Sequence, residues 1–138
     1  MIGYHNSVNA DLKEINNEGQ YAGIFVSLNA ALMRVADYGN HCYKITFGDI
    51  CEKSDIREYL EDHPEFLEAN PDFILDCEEE IECDDLYRKN QKLRALIALD
   101  LGFDAVEEND GYLVVRGKVE YIGTADSEEV ETEIDENW

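Results

Sequence analysis

Apolar residues recur along this chain first at strand spacing, then at helix spacing, then at strand spacing again. Ile2 to His5 reads as a short strand. Gly23-Ile24-Phe25-Val26-Ser27 reads as a second, apolar and β-branched and opened by glycine. Between them Asn6 to Gln20 is polar and rich in Asn and Glu. Ser27 or Asn29 can cap a helix over Ala30, Ala31, Leu32, Met33, Val35 and Ala36, closed by Tyr38 with Gly39 as a left-handed stop. Cys42 to Phe47 predicts a third strand, ended by Gly48-Asp49. The middle is helical: one helix from Ser54 or Asp55 through about Asp62, a short one opened by Pro64 and ending near Asn70-Pro71, and a longer one from about Asp85 to Asp100. In the last, Leu86, Leu93, Leu96 and Ile97 lie near one face and Gly102 supplies the stop. Strands return at Phe103–Glu107, Tyr112–Val115 and Val119–Ile122, and Asn109-Asp110-Gly111 reads as a hairpin turn.

This order predicts an α+β fold, mostly antiparallel strands at both ends of the chain with a helical insertion between them. The early and late strands pair only if the middle is an insertion that lets the ends meet. Residues 1–123 are expected to form one domain, with the insertion over about 52–100. Residues 124–138 read as an acidic, frayed tail, in which Val130 to Ile134 could add a strand.

Composition narrows the class. The chain has 138 residues, of which 44% are hydrophobic, enough for one core. No apolar stretch approaches the roughly 18 residues of a membrane span. Met1-Ile2-Gly3-Tyr4-His5 lacks the basic and apolar regions of a signal peptide, so a cytoplasmic location is expected, in the host bacterium if the source is a phage. Cys42, Cys51, Cys77 and Cys83 form no CxxC pair, and His41 and His63 stand at no zinc spacing, so neither a metal site nor a disulfide is expected. Cys42, in an apolar run, reads as a small buried hydrophobe.

Charge changes the picture most. Eleven basic residues face 33 acidic ones, for a net charge of −22. Direct binding to nucleic acid is disfavoured, because phosphate contacts need Lys and Arg. A partner with a basic surface, such as a nucleic-acid-binding protein, is favoured. Acidity that merely keeps the chain soluble is the plain alternative. Asp76 to Asp85 holds seven acids in ten residues and reads as a solvated loop or helix start.

Three segments could carry chemistry: Tyr4-His5-Asn6-Ser7; Gly23 to Ser27 followed by a helix and Tyr38-Gly39; and Leu101 to Val106 followed by Asp110-Gly111-Tyr112-Leu113-Val114-Val115. Taken singly, each has an ordinary reading. His5 is a structural hydrogen-bonder, Phe25 and Tyr38 are core or rim aromatics, Asp110-Gly111 is a turn, and Glu107 and Glu108 are solvated charges.

In their order, these segments resemble the ADP-ribosyltransferase superfamily, in the branch whose first strand carries a histidine. They are most similar to the small phage-encoded anti-CRISPR mono-ADP-ribosyltransferases that block type I-F systems. The similarity runs through Tyr4 to Gln20 and Gly23 to Ile45 and resumes at Leu101-Gly102-Phe103, roughly half the chain. It implies an NAD-dependent enzyme that modifies a host protein, with NAD as the donor and no membrane or nucleic acid as partner. It places the catalytic acid at Asp110, with Glu108 and then Glu107 as reserves, because the superfamily usually presents Glu there. It assigns Tyr4, His5, Asn6, Ser7, Phe25, Ser27, Arg34 and Tyr38 to the nucleotide: rings of Phe25 and Tyr38 on nicotinamide, His5 on the adenosine-side ribose, backbone near Asn6 on the carboxamide, Ser27 behind the acid. Arg34, Lys13 and Lys44 are the candidates for the diphosphate.

Those residue types suit the chemistry. Breaking the ribose–nicotinamide bond leaves an oxocarbenium-like carbon. One fixed carboxylate beside it is worth about 3–4 kcal/mol. Two other readings stay open: a non-catalytic acidic mimic of DNA that occupies a basic surface, and a toxin-type ADP-ribosyltransferase.

Overall fold

The computed structural model describes residues 1–19, 21–35, 39–75, 84–109 and 111–137. Seven strands and four α-helices follow one another as β1 (Ile2–Ser7), β2 (Ile24–Val26), a 3-10 helix (Ala30–Arg34), β3 (His41–Thr46), β4 (Ile50–Cys51), α1 (Lys53–Asp62), α2 (Pro64–Ala69), α3 (Asp84–Leu101), β5 (Ala105–Glu108), β6 (Gly111–Val114), β7 (Lys118–Thr124) and α4 (Glu128–Glu136) among the described residues. The architecture is α+β, as the pattern of the sequence predicts.

The chain ends do converge. β3 pairs with β1 and β7 in an antiparallel three-stranded sheet, and β2-β6-β5-β4 form a second, four-stranded one. Both sheets therefore mix strands from before and after the helices. β4, which the sequence pattern does not announce, runs parallel to β5 with Ile50 opposite Ala105. A parallel pair requires a long crossover, and α1, α2 and α3 are that crossover.

Each sheet alternates its faces. Ile24, Val26, Tyr43, Ile45, Phe47, Ala105 and Val114 fill the space between the sheets. Cys51, Val106, Leu113 and Val115 point the other way and meet Ile56 of α1 and Ala95, Ile97 and Ala98 of α3. Local signals end the helices where expected. Asn29 accepts from the Ala31 N–H at 3.1 Å and opens the 3-10 helix. Pro64 occupies the first turn of α2. Gly102, at φ +87°, lets Phe103 N–H reach back to the Ala98 carbonyl at 2.9 Å.

Three expectations are corrected. The helix expected up to Tyr38 is a 3-10 helix over Ala30–Arg34, and Tyr38 itself lies outside the described residues. The helix expected from Ser54 or Asp55 begins at Lys53, with Asp55 turned back on the Glu52 N–H at 2.9 Å. The acidic stretch after Thr124 is neither frayed tail nor strand: Glu128–Glu136 is helical, capped by Ser127, whose hydroxyl accepts from the Val130 N–H at 3.2 Å. The Val and Ile at 130 and 134 are four apart, so they share a helix face as readily as alternate residues share a strand face. Val130 is fully buried with Tyr4, Ala30, Met33 and Cys42, and Ile134 packs beside them. Among the described residues, no helix is long and apolar enough to cross a membrane.

If α4 is integral to the domain, Val130→Ala should lower the unfolding free energy by about 2 kcal/mol, from two buried methyls and the cavity they leave. Exposed Glu129→Ala should stay within about 0.5 kcal/mol of wild type. Urea titrations followed by circular dichroism would measure both.

Candidate functional site

The two sheets meet at an isolated antiparallel bridge. Tyr4 N–H donates to the Ser27 carbonyl at 2.8 Å, and Ser27 N–H to the Tyr4 carbonyl at 3.0 Å. Continued pairing would set Asn6 opposite Phe25. Instead the strands part, while β2 pairs with β6 along its other edge. Nδ1 of His5 then takes the place of a ladder partner and donates to the Phe25 carbonyl at 2.7 Å. The result is a fork between β1 and β2. By strand alternation, the main-chain N–H and C=O of Asn6 sit on the edge of β1 that faces it.

The late hairpin closes on the same place. Glu108 is opposite Gly111 in a two-residue turn. A Cβ on Gly111 would strike the Val26 carbonyl and come within 3.5 Å of the Ser27 Cα. Gly111 has φ +154°, so two independent constraints call for glycine there. Asp110 lies outside the described residues, but its neighbour Gly111 packs beside Ser27, and Ser27 is bridged to Tyr4.

The side chains divide by face. His5 stands across from Tyr43 on β3. Its pKa is lowered, mainly because burial strips water from the ring; the hydrogen bond to Phe25 pulls weakly the other way. A neutral ring that donates from Nδ1 presents Nε2 as an acceptor. Tyr4 points to the opposite side, into the α4 cluster. Burial raises its pKa, and its hydroxyl has no hydrogen-bond partner among the described residues. Asn6 donates through Nδ2 to the carbonyls of Met33 at 2.8 Å and Gly39 at 3.1 Å, tying the 3-10 helix to β1. Ser7 and Ser27 each accept from the N–H two residues on, at 3.0 and 3.1 Å.

Several candidates are engaged elsewhere. Phe25 turns its ring to the helical side of the second sheet, edge-on to Tyr21 at 4.8 Å. Arg34 donates to the Ala125 carbonyl at 3.2 Å and lies 3.8 Å from Glu131 of α4. Lys44 contacts Glu133 of α4 at 3.0 Å, which raises its pKa. Lys13 is exposed on the connection after β1.

Glu108 has a different part from the one the sequence suggests. It is buried on the helical side and bound in a two-point ion pair by Arg94 of α3: Nε to Oε1 at 3.0 Å and Nη2 to Oε2 at 2.9 Å. Arg94 also donates to the Ile74 carbonyl at 2.8 Å. An alternation argument could have found this, since Val106 and Glu108 share a face. Glu107 is exposed and lines a cleft of about 300 Å³ with Cys51, Ser54, Ile56 and Leu75. That cleft lies at the β5–β4 side of the sheet, two strands across from β2. Burial pushes the Cys51 thiol up to about 12, away from the reactive thiolate. Among the described residues no three His, Cys, Asp or Glu side chains are grouped to hold a metal ion.

Two outcomes test these roles. Glu108→Ala leaves the Arg94 guanidinium buried without its partner and should cost about 3–5 kcal/mol of stability, read as a lowered urea midpoint. His5 binds its proton less readily folded than unfolded. Its contribution to stability is therefore present above about pH 6.5 and is lost as pH falls from there through the folded value. His5→Gln should flatten that part of the stability–pH curve, and a curve unchanged near pH 6 would contradict the burial argument.

No protein-family model matches the sequence, and no curated protein matches it. The fold is similar to a crystal structure of an anti-CRISPR protein, with a TM-score of 0.66 at 22% identity, covering 88% of this chain and 95% of that chain. At that identity the likeness is one of fold, and it extends over nearly the whole of both proteins.

Proposed function

We propose that this chain is a protein inhibitor of a CRISPR system that acts by NAD-dependent mono-ADP-ribosylation of a host protein. The inhibitor part draws on the fold held in common with an anti-CRISPR protein over 95% of that protein's length. The chemical part draws on the resemblance of the sequence to ADP-ribosyltransferases, and above all on one observation: the fork at Tyr4–Ser27, with His5 inside it and the β5–β6 turn against its Ser27 side.

In this reading NAD is the donor substrate and the fork receives it. The Nε2 acceptor of His5 suits a ribose hydroxyl, and the Asn6 main-chain edge suits an amide, which needs one donor and one acceptor. Asp110 supplies the carboxylate that steadies the positive ribose carbon. Glu108 is not its substitute, being committed to Arg94. Arg34 and Lys44 are both engaged by α4, so the diphosphate would rely on main-chain N–H groups and Lys13. The modified residue on the target would gain bulk and negative charge, which opposes DNA docking.

A second reading, a non-catalytic acidic inhibitor, is favoured by α4. Its carboxylates neutralise two of the chain's eleven basic residues and leave the outer surface strongly negative. A purified CRISPR surveillance complex incubated with the protein and labelled NAD separates the two. Catalysis predicts a labelled subunit, and Asp110→Ala should reduce labelling by at least about 100-fold. Stoichiometric inhibition without NAD, weakened by salt and indifferent to Asp110→Ala, would establish occlusion instead. Growth arrest on expression in cells without a CRISPR system would point to a toxin.

A further inference from the structure

We infer that Leu28, Leu32 and Val35, with Val8 beside them, form the platform on which a positively charged face of the target protein docks. The inference rests on the inhibitor reading above but not on its NAD chemistry.

These four side chains are 49%, 50%, 55% and 84% exposed. They belong together in space. Leu28 joins the Ser27 bridge to the 3-10 helix. Leu32 and Val35 are one 3-10 turn apart, linked by the Val35 N–H to the Leu32 carbonyl at 3.2 Å, and so share a face. The inner face of the same helix is spent on the core, through Ala30 and Met33. Val8 follows the end of β1, where its N–H lies against Gly39 just after the helix. The two segments follow Ser7 at the end of β1 and Ser27 at the bridge.

The helix face is convex, which does not suit a small molecule; such ligands need concave sites. It suits a protein surface, because an apolar centre inside a charged rim is the usual anatomy of an interface. The charge of the rim selects the partner. Arg34, the basic residue between Leu32 and Val35, is engaged by the Ala125 carbonyl and by Glu131. Asp11, Glu128 and Glu129 are exposed on the neighbouring connection and on α4. The complement of an apolar patch in such a field, on a chain of net charge −22, is an apolar patch ringed by Lys and Arg.

The test uses a purified CRISPR surveillance complex immobilised on a biosensor, with no NAD present. The double variant Leu32→Asp/Val35→Asp should bind at least about tenfold more weakly than wild type, with an unchanged melting temperature. Leu67→Asp, at an exposed leucine on α2, should bind as wild type does. If the aspartates unfold the chain, Leu32→Ala/Val35→Ala carries the same expectation. Wild-type affinity in a folded double variant overturns the platform and leaves the inhibitor reading standing. A wild-type chain that does not bind the complex removes both. Sedimentation showing that wild type self-associates while the double variant is monomeric would give the patch to a second copy and overturn the docking role.

Discussion

Two main-chain hydrogen bonds, between Tyr4 and Ser27, set the geometry on which the candidate site depends. They hold the edge of one sheet to the edge of the other at a single residue pair, and beyond it the strands separate. Had β2 continued along β1, the Phe25 carbonyl would be a ladder acceptor and His5 an ordinary strand residue. β2 pairs with β6 along its other edge, and the carbonyl accepts from the imidazole. The same pairing sets Gly111 against Val26 and Ser27. The divergence thus leaves the imidazole in the fork, and the β2–β6 pairing delivers Gly111 to its Ser27 end. The glycine at 111 is what permits that delivery, since any Cβ would collide with the Val26 carbonyl.

The second constraint is the Arg94–Glu108 pair, which works on the opposite side of the same hairpin. Glu108 ends β5, and Arg94 sits in the middle of α3. Taking both charges out of water is costly, and the cost is offset only because both carboxylate oxygens and the Ile74 carbonyl are used. Apolar contacts between α3 and the sheet would tolerate some sliding. A bidentate pair tolerates little, so it fixes the height of the helical crossover against β5. It therefore positions the end of β5, and with it the turn that follows.

Much of this was legible in the sequence. The strands and their turn signals were clear because alternation, Gly and Asp-Gly are local features, and convergence of the two ends followed from requiring each strand to find a partner. The missed elements depend on information the local pattern lacks. Ile50–Cys51 is too short to show alternation and exists because β5 offers an edge. α4 looked like tail because its charge dominates its composition, and only the buried Val130 and half-buried Ile134 reveal the face it packs. Of the candidate residues, His5, Ser27 and the Asp110-Gly111 turn belong to neighbouring segments by topology. Phe25 does not follow them, because a strand's side chains alternate and its neighbours Ile24 and Val26 claim the inter-sheet face. Alternation puts Glu108 on the face of Val106, but its partner is 14 residues upstream on a helix whose rotation no local rule specifies.

The acidic composition has a structural use as well as a surface one, and the two reinforce each other. On α4, Glu131 reaches Arg34 of the 3-10 helix and Glu133 reaches Lys44 of β3, and so clip the helix to both. Each clip also cancels a positive charge that would otherwise interrupt the negative field near the 3-10 helix. Glu128 and Glu129 of the same helix are exposed to solvent. Such a surface repels nucleic acid and copies of itself, and raises the encounter rate with basic surfaces in proportion to their charge. Enzymatic modification and simple occlusion share this first step. What distinguishes them is whether an encounter, once made, needs to persist. An occluding protein must stay bound, whereas a modifying one can leave. An apolar patch of four side chains is modest for permanent occupation of a large binding face. The proposed transfer reaction would ask less of it, since a modified target need not be held.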